Sequence, residues 1–147
     1  MLKRTICTTI ANPTYPLTFD YLKKYIFELN SGRLVPQLQR KIEVQTKYNL
    51  DNKGKQKHDI IMNKYLKGQT YCIAKNDYPY NLDKNIDHYV LWMRCGTCLD
   101  ITNYIKNSFK GREYLILTNP TAWQSIPSIE HHHVFVNSKN PIDWTVL

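Results

Sequence analysis

The chain has 147 residues, of which 42% are apolar, 12% aromatic and 22% charged, with a net charge of +8. A chain of this length buries about two thirds of its unfolded surface, which excludes a disulfide-stapled miniprotein, and its composition excludes a disordered tail. No apolar run approaches a membrane span. The first 13 residues carry two basic side chains and an apolar stretch broken by threonines, which does not make a signal peptide, so a cytoplasmic, reducing compartment is expected. The cysteines Cys7, Cys72, Cys95 and Cys98 then read as free thiols or metal ligands. The chain holds 15 Lys, 13 Asn, 14 Ile and 11 Tyr, over a third of its length, all encoded by A/T-rich codons. That bias points to an A/T-rich protist or a giant virus of amoebae as source, and in the latter case to the host cytoplasm. It also accounts for the lysine excess, so a nucleic-acid partner is left open rather than favoured, while a basic surface still attracts phosphorylated ligands.

Residues 1–17, with Asn12-Pro13 and Tyr15-Pro16, read as an extended arm. Thr18 is a candidate N-cap, and Phe19, Leu22, Ile26 and Leu29 recur at helical spacing until Asn30-Ser31-Gly32. A second helix is predicted over 34–48, with Pro36 in its first turn and Leu34, Leu38 and Ile42 on one face. Residues 49–56 read as a polar loop, and His58 to Leu66 as a third helix closed by Gly68. Residues 40–67 carry eight Lys or Arg against three acids, read as a solvated helical face. Beyond Gly68 the period changes to that of strands, at Tyr71–Ala74, His88–Met93, Tyr114–Thr118 and His131–Val136, with a short helix within Asp100 to Phe109. Helices first and strands later predict an α+β protein, with N-terminal helices packed on an antiparallel sheet. One domain over 1–147 is expected, divided into the arm, a helical part (18–67), a sheet-forming part (68–137) and a tail (138–147).

Three of the five histidines fall in Glu130-His131-His132-His133-Val134-Phe135-Val136. Strand alternation sends His131, His133 and Phe135 to one face and His132, Val134 and Val136 to the other. Imidazole is suited to attack phosphorus, to relay a proton or to bind a metal near neutral pH, and a polar strand face without chemistry is the plain alternative. Ahead of this strand, Asn119-Pro120-Thr121-Ala122-Trp123-Gln124-Ser125 is a polar loop whose Asn119, Gln124 and Ser125 can hold phosphate or ribose oxygens, or form an ordinary turn. Asn76-Asp77-Tyr78-Pro79-Tyr80 and His88-Tyr89-Val90-Leu91-Trp92 supply aromatic faces for a base or sugar, or core. Cys95-Gly96-Thr97-Cys98 offers half a zinc site, which His131 and His133 would have to complete.

The order of Gly32-Arg33-Leu34, Tyr48, Asn76 to Tyr80, His88 to Trp92, Asn119-Pro120 through Gln124-Ser125, and His131-x-His133-Val134 resembles the fungal N-acetylglucosamine-induced protein family, a domain of unknown function, over about residues 17–137. More distantly, His88 into Val90-Leu91, then Asn119, then Gln124-Ser125-Ile126-Pro127, then His131 and His133 are similar to the histidine-triad nucleotide hydrolases and transferases. Aligned without a gap from Gln124, that family's nucleophile position falls on Glu130; with one inserted residue it falls on His131, with His133 after it. The resemblance implies a histidine-triad-like sheet that binds a nucleotide or nucleotide-sugar and hydrolyses or transfers at the α-phosphate. His131 and His133 would then be catalytic, and His88, Asn119, Gln124, Ser125, Tyr78 and Trp123 would bind the ligand. No cofactor is required by that reading. The alternatives are a non-catalytic sensing or interaction domain on the same fold, and a zinc-stabilised domain using Cys95, Cys98, His131 and His133.

Overall fold

The computed structural model describes residues 10–124 and 126–138. Most of the extended arm, Cys7, the C-terminal tail and Ser125 lie outside the described residues. The described elements are helix α1 (Phe19–Asn30), α2 (Ile42–Asn52), α3 (Lys57–Tyr65), strands β1 (Tyr71–Lys75) and β2 (Ile86–Met93), helix α4 (Ile101–Ser108), strand β3 (Glu113–Leu117), a 3-10 turn (Thr121–Trp123) and strand β4 (Glu130–Asn137). The four strands form one sheet in the order β1-β2-β4-β3 with every pair antiparallel, which makes the chain an α+β protein with the shift near Gly68 that the sequence periods predict. No described helix is long and apolar enough to cross a membrane.

Register divides the side chains between two faces. Pairing of His88 with Phe135, Val90 with His133 and Trp92 with His131 puts those six on one face, joined by Leu115 and Leu117 of β3 and by Cys72 and Ala74 of β1. On the other face Leu91, Met93, Val134 and Val136 pack under α4 through Ile105, Tyr104 and Phe109. Because β2 and β4 are central and covered on both sides, alternation survives as side-chain direction while burial becomes nearly continuous along β4.

The histidine face is covered at its two ends and not between them. At one end α1 lays Phe19, Leu22, Tyr25 and Ile26 against Phe135, Leu117 and Ile86. At the other, Leu66 at the end of α3 packs with Ile126 and Ile129, and Cys72 and Trp92 join that cluster. Helix α1 begins where Thr18, extended at φ −90° and ψ 160°, accepts a hydrogen bond from the Tyr21 backbone N–H through its side chain. Thr18→Ala should therefore cost about 1 kcal/mol, read as a lower urea midpoint with an unchanged slope.

The second helix departs from the sequence expectation. Residues 34–41 are not helical, and α2 starts at Ile42 and runs through the predicted polar loop to Asn52. Proline at 36 biases residue 35 to extended backbone, and tertiary partners take the backbone groups that a helix would use. The Pro36 carbonyl accepts from the Tyr25 hydroxyl at 2.6 Å, the Gln39 N–H donates to the Tyr15 hydroxyl at 2.9 Å, and the Gln39 carbonyl accepts from the Asn81 N–H at 2.9 Å. The expected face of Leu34, Leu38 and Ile42 does not form, and Ile42 is 83% exposed. Helices α2 and α3 bury no side chain of their own. They stand as a hairpin over the uncovered part of the histidine face.

Candidate functional site

Between the two covered ends lies a cavity of about 630 Å³, floored by Val90, Trp92, His131 and His133 and walled by α2, α3, the segment 37–40 and Asn119, Trp123, Gln124 and Ile126. His131 and His133 face it from β4, two residues apart, with ring centroids 6.1 Å from each other. Asn119, Gln124, Trp123 and Tyr78 also line it. His88 does not. It lies behind His133, 5% exposed, with Nε2 2.8 Å from His133 Nδ1, so its place is that of a support rather than a ligand contact.

The hydrogen bonds fix which ring nitrogens carry protons. The Tyr80 backbone N–H donates to His88 Nδ1 at 3.3 Å, so a neutral His88 carries its proton on Nε2 and donates to His133 Nδ1. His133 in turn carries its proton on Nε2. The Asn119 side-chain amide stands 3.3 Å from that nitrogen and 3.1 Å from the Tyr80 hydroxyl. A half-turn of the amide presents oxygen to both donors, whereas the backbone N–H of Tyr80 cannot be reversed, so the chain of protons is set from the Tyr80 end. His131 has the opposite arrangement. Its Nδ1 is 2.8 Å from the Ile129 carbonyl and must donate to it, which leaves Nε2 with a lone pair. That nitrogen takes no hydrogen bond among the described residues, and no fully buried side-chain nitrogen or oxygen there lacks a partner, so it opens to the cavity.

Burial keeps these rings neutral. Desolvation pushes His133 down to about 3, with the charges of His131 and Arg40 acting in the same direction. His88 is likewise held well below its ordinary value by burial and then by His133. Burial also lowers His131, opposed by the Ile129 carbonyl, which favours the charged ring. The site thus presents one imidazole lone pair, that of His131 Nε2, beside His133, whose N–H is held by Asn119, with Trp92 packed against the His131 ring at 5.2 Å.

Glu130, which the ungapped alignment sets at a nucleophile position, points away from the cavity. It pairs with His132 at 3.1 Å on the opposite side of the sheet, where the Thr118 hydroxyl also meets His132. Gln124 donates to the Asn119 carbonyl at 2.9 Å and braces the loop. Tyr78 donates to Asp51 at 2.8 Å, and burial followed by that carboxylate raises its hydroxyl to about 12. Cys95 and Cys98 are exposed and Cys95 contacts the Ser128 carbonyl. Among the described residues no three His, Cys, Asp or Glu side chains are grouped to hold a metal, so the set Cys95, Cys98, His131 and His133 is not assembled.

Two cavity features were not singled out in the sequence. Arg40 donates through Nε to the Tyr78 carbonyl at 2.7 Å and lies 4.6 Å from the centre of the Tyr48 ring and 5.7 Å from that of Tyr80. It makes no ion pair among the described residues. Lys64 and Tyr65 both bond Asp77; burial works against that carboxylate's charge, but these bonds outweigh it and hold its pKa below the ordinary value. Arg40 belongs to the basic stretch read as a solvated helical face, and only the extended course of residues 34–41 turns it inward.

Fold and site define an α+β protein whose antiparallel sheet carries neutral histidines of opposite tautomer on one wall of a basic, aromatic-lined cavity. Residues 33–103, just under half of the chain, match the family described as "Protein of unknown function (DUF3605)". No curated protein is significantly similar to the chain. The solved structure described as "Crystal Structure of HTC1" superposes with a TM-score of 0.58 over 82% of this chain and 84% of that one, at 18% identity, a likeness of fold alone.

Proposed function

We propose that the cavity binds a nucleotide or nucleotide-sugar and that His131 acts on its α-phosphate in a hydrolase or transferase reaction. The observation that carries this reading is the His131 ring itself, held by the Ile129 carbonyl so that an unprotonated Nε2 faces the cavity. A nucleophilic histidine needs its other nitrogen fixed as a donor and its ring neutral. In the first step Nε2 forms a bond to phosphorus while the bond to the leaving oxygen breaks, and the leaving group departs with that electron pair. In the second, water or an acceptor hydroxyl attacks phosphorus and gives up a proton, and the N–P bond breaks to restore the Nε2 lone pair. His133, whose N–H is held by the Asn119 side chain, keeps that amide at the cavity wall, and the Arg40 guanidinium supplies the positive field that the phosphate charge requires. Tyr48, Tyr65 and Tyr78 offer faces for a ring.

A thermal-shift series with nucleoside mono- and diphosphates and sugar nucleotides tests the ligand class, because a ligand that binds only the folded chain raises Tm by mass action. Arg40→Gln should reduce that shift by an amount equivalent to about tenfold in affinity, the loss of one charge-assisted contact to phosphate. No shift with any phosphorylated ligand in the wild type would reject the reading. Binding without turnover across the same ligands would instead support the sensing function.

A further inference from the structure

We propose that the ligand of this cleft is the end of a single-stranded nucleic acid, whose backbone continues over the α2–α3 hairpin. The proposal deepens, and rests on, the nucleotide reading of the cleft. A/T-rich coding explains how many lysines the chain has, but not where the fold puts them. The hairpin that walls the cavity also carries Lys41, Lys47, Lys53, Lys55 and Lys67 as exposed side chains, and none of the five forms an ion pair with a described residue. Lys53 and Lys55 sit in the turn between the helices, outside the cavity lining, where a mononucleotide bound at the histidines gives them nothing to neutralise.

The cavity's aromatic side chains point the same way. They form two platforms rather than one: Tyr48 against Tyr78, edge to face at 5.0 Å, and Tyr65 stacked on Trp92 at 5.8 Å and 11°. All four line the cavity. A single base occupies one platform, and two platforms beside a cationic track are what successive bases of one strand use. Arg40 and Lys57, each 4.6 Å from the centre of the Tyr48 ring, bring charge to the same wall. Bases reach such a recess only when unpaired, which selects a single strand over a duplex.

Fluorescence polarisation with a 3′-labelled RNA hexamer, its DNA counterpart, and AMP and UMP as competitors tests this. The hexamer should bind at least about tenfold tighter than either mononucleotide, with an affinity that falls as salt rises at a log–log slope of about −2, the value for three phosphates on a single strand. The double variant Lys53→Glu/Lys55→Glu should weaken the hexamer about tenfold or more and leave AMP and UMP unchanged. Tighter binding of RNA than of DNA would assign a ribose contact to the cleft within this proposal. Equal affinity for hexamer and mononucleotide, or a hexamer affinity unmoved by the double variant, would overturn the strand path while sparing the nucleotide site. An equal loss for AMP in the variant would overturn it too. Failure of mononucleotides and hexamer alike would overturn both readings.

Discussion

His131→Ala should lower turnover of a nucleotide substrate by about 10³-fold or more while altering ligand affinity only a few-fold. The asymmetry follows from the arrangement of the cleft. His131 offers the one imidazole lone pair facing the cavity among the described residues, whereas the proposed positive field comes from Arg40, which the substitution leaves in place. His131→Asn serves as a polar control for the space left beside Trp92. His133→Ala should instead weaken affinity and turnover together, because it removes the ring that holds the Asn119 side chain at the cavity wall in both ground and transition states. The measurements are steady-state turnover and a search for an acid-labile phosphohistidine adduct on wild type and variants. Full activity in His131→Ala would exclude His131 as the nucleophile.

Stability should fall steeply as pH drops below about 6.5. Buried His88 and His133 have folded-state values depressed below the ordinary histidine value, His133 to about 3. Between those limits the unfolded chain binds more protons than the folded one, so the stability present above pH 6.5 is progressively lost on acidification. His133 removes about 1.4 kcal/mol per pH unit, or about 2 kcal/mol between pH 6.5 and 5, and His88 acts in the same direction. Set against a typical domain's 5–15 kcal/mol, the His133 contribution alone is a readable loss. Urea unfolding at pH 7 and pH 5 reads this directly. An unchanged wild-type midpoint between pH 7 and 5 would refute the buried neutral pair.

The strands, the cap at Thr18 and the sharing of one face by His131, His133 and Phe135 follow from local sequence. Each of these depends on neighbours within a few residues: alternation at period two, an oxygen three residues ahead of an N–H, or Gly68 closing a helical run. The match of histidines with Asn119 and Gln124 was legible for the same reason, since a loop joined to β4 by a few residues has little freedom to put them elsewhere.

Contacts between distant parts of the chain set the rest. Residues 34–41 have helical spacing, yet their backbone groups find partners in Tyr15, Tyr25 and Asn81, 11 to 42 positions away, and this displaces the helix and turns Arg40 into the cavity. Protonation states were equally out of reach of the sequence. His131 and His133 are chemically identical two residues apart, and they differ because one ring meets the carbonyl of Ile129 while the other meets His88, 45 residues earlier. Whether Glu130 or His131 faced the cavity also turned on register with β2, which sets His131 opposite Trp92 and sends Glu130 to the far side of the sheet with His132. A sequence carries side-chain period and local capping, but the pairing of distant backbone groups selects which of two equivalent faces, and which nitrogen of a ring, is offered to a ligand.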